Sequence, residues 1–331
     1  MGGPPFPVPH WAIRQILLHF LRDRHAGLPQ MQAPASRSSI LNLTRNPGRT
    51  MKVVLFCGGL GLRLRDYSDK IPKPMVPIGY RPIIWHIMKY YASFGHKDFI
   101  LCLGYGADAI KEYFVNYDES VSNDFVLTDG GKSLTLLNED IQDWRITFVD
   151  TGITSTIGQR LKKIEPHIGM DDVFMANYTD GLTDLSLEDH LAHFSKHGRV
   201  ASFLCVTPRQ SFHLVNLAQD GRVTHLEELG RSGLRVNGGY FIFKRAIFDY
   251  IRDGEELVQA PFQRLMQRNQ LIGYEYNGFW AAMDTFKDKM LLDDLYARDK
   301  APWAVWKERA NLFPDASHAA ERESLRKAGG F

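Results

Sequence analysis

Lys52-Val53-Val54-Leu55-Phe56-Cys57-Gly58-Gly59-Leu60-Gly61-Leu62-Arg63-Leu64 decides the fold. A short apolar run that breaks into glycines reads as a buried parallel strand feeding a loop. Glycines at that turn let backbone N–H groups approach phosphate oxygens with no Cβ in the way. Several nucleotide classes use this device, and two of them are disfavoured by what is missing. A dinucleotide fingerprint needs a glycine at Leu64 and an acid ending the next strand, where this chain has Leu103-Gly104. A Walker-type loop needs Gly-Lys-Ser/Thr, which is absent.

Outward from this stretch, helix and strand signals alternate. Arg81-Pro82 opens a helix whose Ile83, Ile84, Ile87, Met88 and Tyr91 share one face, and Gly95 stops it. Strands are expected at 98–103, 145–149, 172–175, 200–206, 236–243 and 271–276, with helices at 107–115, 187–196 and from Thr285 onward. Two further helices are expected between 243 and 271. Asp220-Gly221 between two alternating runs signals a hairpin. This alternation predicts an α/β fold with a doubly wound, mostly parallel sheet and a small β insertion. The domain is expected to span 51–300. Residues 1–50, rich in Pro, Ser and Arg, read as an unstructured extension, and 301–331 as a peripheral helix or tail.

Forty Lys+Arg against 38 Asp+Glu give no global sign of a nucleic-acid partner. No apolar run approaches the roughly 18 residues of a membrane span. The three cysteines are scattered and odd in number, which favours a reduced, cytoplasmic setting without disulfides.

Two cations stand close to the glycine turn, Arg63 within it and Lys73 in Pro72-Lys73-Pro74. Cations beside a phosphate cradle suit a triphosphate whose charge must be neutralised. Flanking prolines restrict the backbone of Lys73, a rigidity from which a solvated lysine gains nothing. Asp180 follows a strand, so it is expected on the strand-end rim that the glycine loop also occupies. Asp284 precedes Thr285, which can itself cap the last helix and leave Asp284 for other work. Two carboxylates beside a triphosphate are what Mg²⁺ takes as hard oxygen ligands.

From Met51 to about Trp306 the chain resembles the sugar-1-phosphate nucleotidyltransferases, most closely the glucose-1-phosphate cytidylyltransferases. The resemblance is carried by Gly58 to Leu64, Pro72-Lys73-Pro74-Met75-Val76, Pro82 to Met88, Lys111 to Phe114, Val149 to Gly152, Asn237-Gly238-Gly239, Gly278-Phe279-Trp280, Met283-Asp284-Thr285 and Ala301-Pro302-Trp303. It implies a Rossmann-like nucleotidyltransferase fold and transfer of CMP from CTP to a sugar 1-phosphate, with pyrophosphate released and a homo-oligomeric assembly. It also implies that Arg63 and Lys73 act catalytically on the triphosphate and that Asp180 and Asp284 hold Mg²⁺. Nucleotide contacts are implied at Leu55, Phe56, Cys57, Gly58, Gly59, Leu60, Gly61, Leu62, Ser155, Arg160 and Thr179, and sugar contacts at Glu227, Asn237 and Gly238.

The chain departs from that pattern in several places. Leu62 replaces a threonine, Thr179 a glycine before Asp180, Gln159 a glycine before Arg160, and Ala260 an acid of the sugar region. Glu227-Glu228 stands where the family has Glu-Lys, a charge reversal beside an anionic acceptor. Arg231 and Arg235 are the candidate replacements. The departures leave two alternatives: a different sugar phosphate, or a nucleotide-binding regulator without turnover.

Overall fold

Apolar residues alternate between two cores along the central strands, and that alternation makes the sheet the middle layer. The computed structural model describes residues 50–59, 71–209 and 212–312. They belong to one compact unit; the other, Met1–Ser39, lies wholly outside the described residues. In β1 (Lys52–Phe56), Val53 and Leu55 enter one core while Val54 and Phe56 enter the other. The same switch occurs in β2 (Asp98–Leu103), with Phe99, Leu101 and Leu103 against Ile100 and Cys102. Strands covered on both faces read as near-continuous apolar runs, as the sequence led us to expect.

The remaining strands are β3 (Arg145–Asp150), β4 (Val173–Tyr178), β5 (Ala201–Val206), β6 (Val236–Asn237), β7 (Phe241–Lys244) and β8 (Leu271–Tyr276). Among the described residues they form an eight-stranded sheet in which β1 lies between β2 and β4, and β3 flanks β2. Pairs β1–β2, β1–β4, β2–β3 and β5–β8 are parallel, and β7 runs antiparallel between β4 and β5. The expected doubly wound, mostly parallel sheet is present.

Helices cover both faces. The helices α1 (Ile83–Ser93), α2 (Ala107–Val115), α4 (Leu187–His197) and α6 (Phe286–Ala297) bury residues in the core of Val53 and Leu55. On the other face, α3 (Ile157–Lys163) buries Leu161 and α5 (Ala260–Gln267) buries Phe262 and Leu265. Only one of the two helices expected between 243 and 271 is α-helical. The other, Arg245–Tyr250, is a 3₁₀ segment.

Three differences from the sequence reading have physical causes. The single strand expected over 236–243 is broken at Gly238-Gly239-Tyr240, where Gly239 and Tyr240 have φ of 76° and 51°. The break holds because the Tyr240 amide donates to Asn177 Oδ1 at 2.9 Å, while Gly238 and Gly239 still bond Leu204. A second β insertion, pairing Phe125–Thr128 with Ser133–Leu136, accompanies the expected hairpin of His213–Leu217 and Val223–Glu228. Finally, the chain beyond the expected boundary at 300 packs into the domain before the expected peripheral helix begins. Trp303 is 1% exposed, its Nε1–H points at His86 Nδ1, and α7 (Trp306–Leu312) follows, with Arg309 bonded to Ser93 O. The aromatic bulk of Trp303 and Trp306 outweighs the charged composition around them.

Trp303→Ala should lower stability by about 3–5 kcal/mol, read as a fall in the urea midpoint. An unchanged midpoint would place residues 301–312 outside the cooperative domain.

His86 is fully buried, and burial holds its pKa down to about 4 despite backbone hydrogen bonds that favour the proton. Burial holds His96 down to about 4 as well. Both are neutral when folded and free to take protons when unfolded, so the unfolded chain binds more protons between about pH 6.5 and 4. Stability should therefore fall as pH drops through that window. A urea midpoint independent of pH from 7 to 4 would contradict this.

Candidate active site at the carboxyl rim of the sheet

Because β1 and β4 are parallel, with Phe56 opposite Tyr178, the turns after both strands lie on one rim. The Thr179 hydroxyl fastens them by donating to Phe56 O at 2.9 Å. Asp180 follows, and Gly181–Thr183 pairs antiparallel with Trp280–Ala282, so that Met283 donates to Asp180 O at 2.8 Å. This small ladder carries Asp284 to Asp180. Thr285 is the N-cap of α6, in a reciprocal capping box with Asp288, so Asp284 is not the capping side chain.

Lys73 completes the cluster from a third segment. Pro72, Lys73 and Pro74 form a tight 3₁₀ turn closed by Met75 N–H to Pro72 O at 2.8 Å. The Pro72 ring packs where a Cβ on Gly106 would come within 2.6 Å of it, and Gly106 has φ of 65°, so glycine is required there. From this fixed turn the Lys73 ammonium bonds Asp180 Oδ2 at 2.8 Å and Asp284 Oδ1 at 2.7 Å. Burial works to lower the lysine pKa, but the two carboxylates outweigh it, and the net shift is upward. Lys73 is a permanent cation here.

The amino-terminal part of the glycine loop rests on Arg160. This arginine is 2% exposed and donates to Leu103 O, Thr151 Oγ1, Gly58 O and Ile153 O at 2.7–3.2 Å. It ties together the chain leaving β1, β2 and β3. A Cβ on Gly58 would overlap the guanidinium, which gives that glycine a packing reason.

A glycine turn, a cation and two converging carboxylates on one strand-end rim are the parts of a phosphoryl-transfer site. Residues 52–288 match the nucleotidyl transferase family. The chain belongs to that family. Over 258 residues it is 38% identical to the glucose-1-phosphate cytidylyltransferase of Salmonella typhi and 37% identical to that of Salmonella typhimurium, in each case 77% of this chain and all of the relative. It is a sugar-1-phosphate nucleotidyltransferase. Its fold is also like that of a UDP-glucose pyrophosphorylase solved with UDP-glucose, with a TM-score of 0.56 and 14% identity over 76% of this chain and 100% of that one.

Against the expected site residues, the nucleotidyltransferase groups Lys73, Asp180 and Asp284 directly. Leu60, Gly61, Leu62 and Arg63 lie outside the described residues. Leu55 and Phe56 end β1 and Cys57 follows them; their side chains are buried, and the Cys57 amide donates to Cys102 O. Arg160 is buried, and carbonyls and a hydroxyl engage its guanidinium as a strut beneath the loop. Ser155 donates to Thr151 O beside it.

On the sugar side, Asn237 Oδ1 accepts from Gly239 N–H at 2.9 Å, and Gly238 O accepts from Trp280 Nε1–H at 2.9 Å. Trp280 also lies 3.4 Å from where a Cβ of Gly181 would be, so its indole joins the acid turn to the Asn237-Gly238 segment. Glu227 sits on the exposed hairpin beside His225, at 3.1 Å, and is not bonded to the Lys73 cluster. Glu228 is paired with Arg231 at 3.4 Å, whereas Arg235 is engaged by Thr207, Asn277 and Glu275. Of the two candidate replacements, Arg231 meets the reversed charge. Sequence reading named Arg160 and Trp280 but missed their work as strut and indole wedge, since their partners are distant along the chain.

Arg160→Met should cost roughly 3 kcal/mol by leaving buried carbonyls without donors. The loosened Gly58 turn should raise the KM for triphosphate about tenfold. Urea unfolding and steady-state kinetics check the two parts. An unshifted KM would remove Arg160 from the support of the loop.

Proposed function

We propose that this enzyme transfers CMP from CTP to glucose 1-phosphate, releasing pyrophosphate and CDP-glucose. The observation that carries the reading is the convergence of Lys73, Asp180 and Asp284 on one rim, in a chain similar over its whole domain to glucose-1-phosphate cytidylyltransferases. A phosphate oxygen of the sugar 1-phosphate attacks the α-phosphorus of CTP. That bond forms as the bond to the bridging oxygen of the β-phosphate breaks, and the electron pair leaves with pyrophosphate. No covalent enzyme intermediate is needed.

The chain's part is positioning and charge neutralisation. Lys73 supplies a fixed positive charge for the triphosphate, and Gly58 and Gly59 give its phosphates close access to backbone. In this reading Arg63 adds a second cation, with Leu60, Gly61 and Leu62 completing the loop. Asp180 and Asp284 fit Mg²⁺ by the chemistry of their donors: two hard carboxylate oxygens close enough to share one ammonium. Among the described residues no third His, Cys, Asp or Glu joins them, so the remaining ligands would be phosphate oxygens and water. When bound, Mg²⁺ supplies Lewis-acid stabilisation of phosphate oxygens.

Ser155 and Thr179 we assign to the nucleotide side, and Glu227, Asn237 and Gly238 to the sugar side. The Glu228–Arg231 pair favours a second reading, in which the acceptor is a different sugar phosphate. Free cysteines support a cytoplasmic setting. The exposed Val215, Leu217, Val223 and Leu226 of one hairpin support a homo-oligomer that buries them. Among the described residues no helix is long and apolar enough to cross a membrane.

With CTP and Mg²⁺, a panel of sugar 1-phosphates should release pyrophosphate, glucose 1-phosphate fastest. Lys73→Ala and Asp180→Ala should each reduce the rate by roughly a thousandfold. Silence across the panel from folded protein would refute the transferase reading. A faster response to another sugar would select the second acceptor.

A further inference from the structure

Lys73 is placed against Asp180 and Asp284, the two carboxylates assigned to the metal. Its ammonium bonds both carboxylates, and its side chain is 16% exposed. The backbone beneath it is fixed between Pro72 and Pro74, with Pro74 buried, but its four-carbon stem is not. The ammonium can therefore change partners by side-chain rotation alone, without moving the turn.

We propose that Lys73 is a placeholder cation: in the nucleotide-free enzyme it occupies the Asp180–Asp284 pair and excludes a lone divalent ion. An incoming triphosphate then draws the ammonium away and opens the pair to the metal it carries. This deepens the assignment of Asp180 and Asp284 as the metal-holding carboxylates and rests on it. A lone divalent ion has two routes into the site, both unfavourable. Sitting beside the ammonium places like charges against each other with only two carboxylates to balance them, and among the described residues no further acid joins the pair. Displacing the ammonium leaves a largely buried cation without an acceptor. A triphosphate removes both obstacles, because its oxygens accept from Lys73 and ligate the metal. Nucleotide and metal then strengthen each other's binding by one shared factor, as linkage requires.

The test is a Mn²⁺ titration of the full chain without nucleotide, with free Mn²⁺ read by electron paramagnetic resonance. Lys73→Met should bind Mn²⁺ at least tenfold more tightly than the unsubstituted protein, and adding Asp180→Asn to it should abolish the gain. Lys163→Met removes an equal charge that bonds Thr151 O instead, and it should leave Mn²⁺ affinity unchanged. If Lys73→Met does not fold, Lys73→Gln serves, since its amide still donates to a carboxylate. Equal affinity in the unsubstituted and Lys73-substituted proteins overturns the proposal. So does a gain that survives Asp180→Asn, or one matched by Lys163→Met. No substrate is present in this titration, so it is independent of transfer. A chain silent toward every sugar yet showing the gain loses the functional reading and keeps the placeholder; an active chain without the gain does the reverse.

Discussion

One ammonium between two carboxylates organises the rim of this enzyme. Lys73, Asp180 and Asp284 come from three separate segments, and their side chains are 16%, 32% and 36% exposed. Ion pairs that wet contribute about 1 kcal/mol or less to folding. Stability is thus a poor explanation for the investment around them. The proline-locked turn, the Gly181–Thr183 ladder with Trp280–Ala282 and the capping by Thr285 each hold one member in place. Such convergence is explained by chemistry that needs two acids and a cation on one rim, with the backbone segments that carry them set before substrate arrives.

Behind that point, Arg160 performs the matching task for the backbone. Parallel strands deliver their loops to one rim but do not fix how those loops lie. A planar guanidinium with donors in several directions can join chain segments that a point charge could not. Gly58 matters here because its missing Cβ leaves room for the arginine.

Much of the sheet was legible because its strands are buried on both faces, which writes them into the chain as apolar runs. Asp98–Leu103 and the helix Ala107–Val115 end where their patterns end. Thr285 was recognisable as a cap because capping is local, and that freed Asp284 for the site. What escaped was non-local. Residues 236–243 read as one strand with a glycine pair inside it, yet Asn177, 63 residues away, captures the Tyr240 amide and breaks the strand. Trp303 sits in a charged, Ala-rich stretch, and only its meeting with His86, 217 residues away, makes it core. Arg160 follows the same logic. The helix α3 carries it, while its function as a strut is defined by carbonyls up to 102 positions away.

The sugar side shows how far a charge read from sequence can mislead about a site. Glu228 taken alone is an acid facing a dianionic acceptor. In the folded chain it opens the 3₁₀ turn Leu229–Arg231, and Arg231 lies against it at i+3. The charge reversal read at Glu228 is therefore offset within the chain by Arg231. Arg231 is 82% exposed on its side chain, so its guanidinium can exchange a carboxylate for a phosphate without crossing the core. That exchange costs one solvent-screened ion pair and gains a charge-assisted one to a dianion. Under the proposed function, an acceptor on this face would compete with Glu228 for a single arginine.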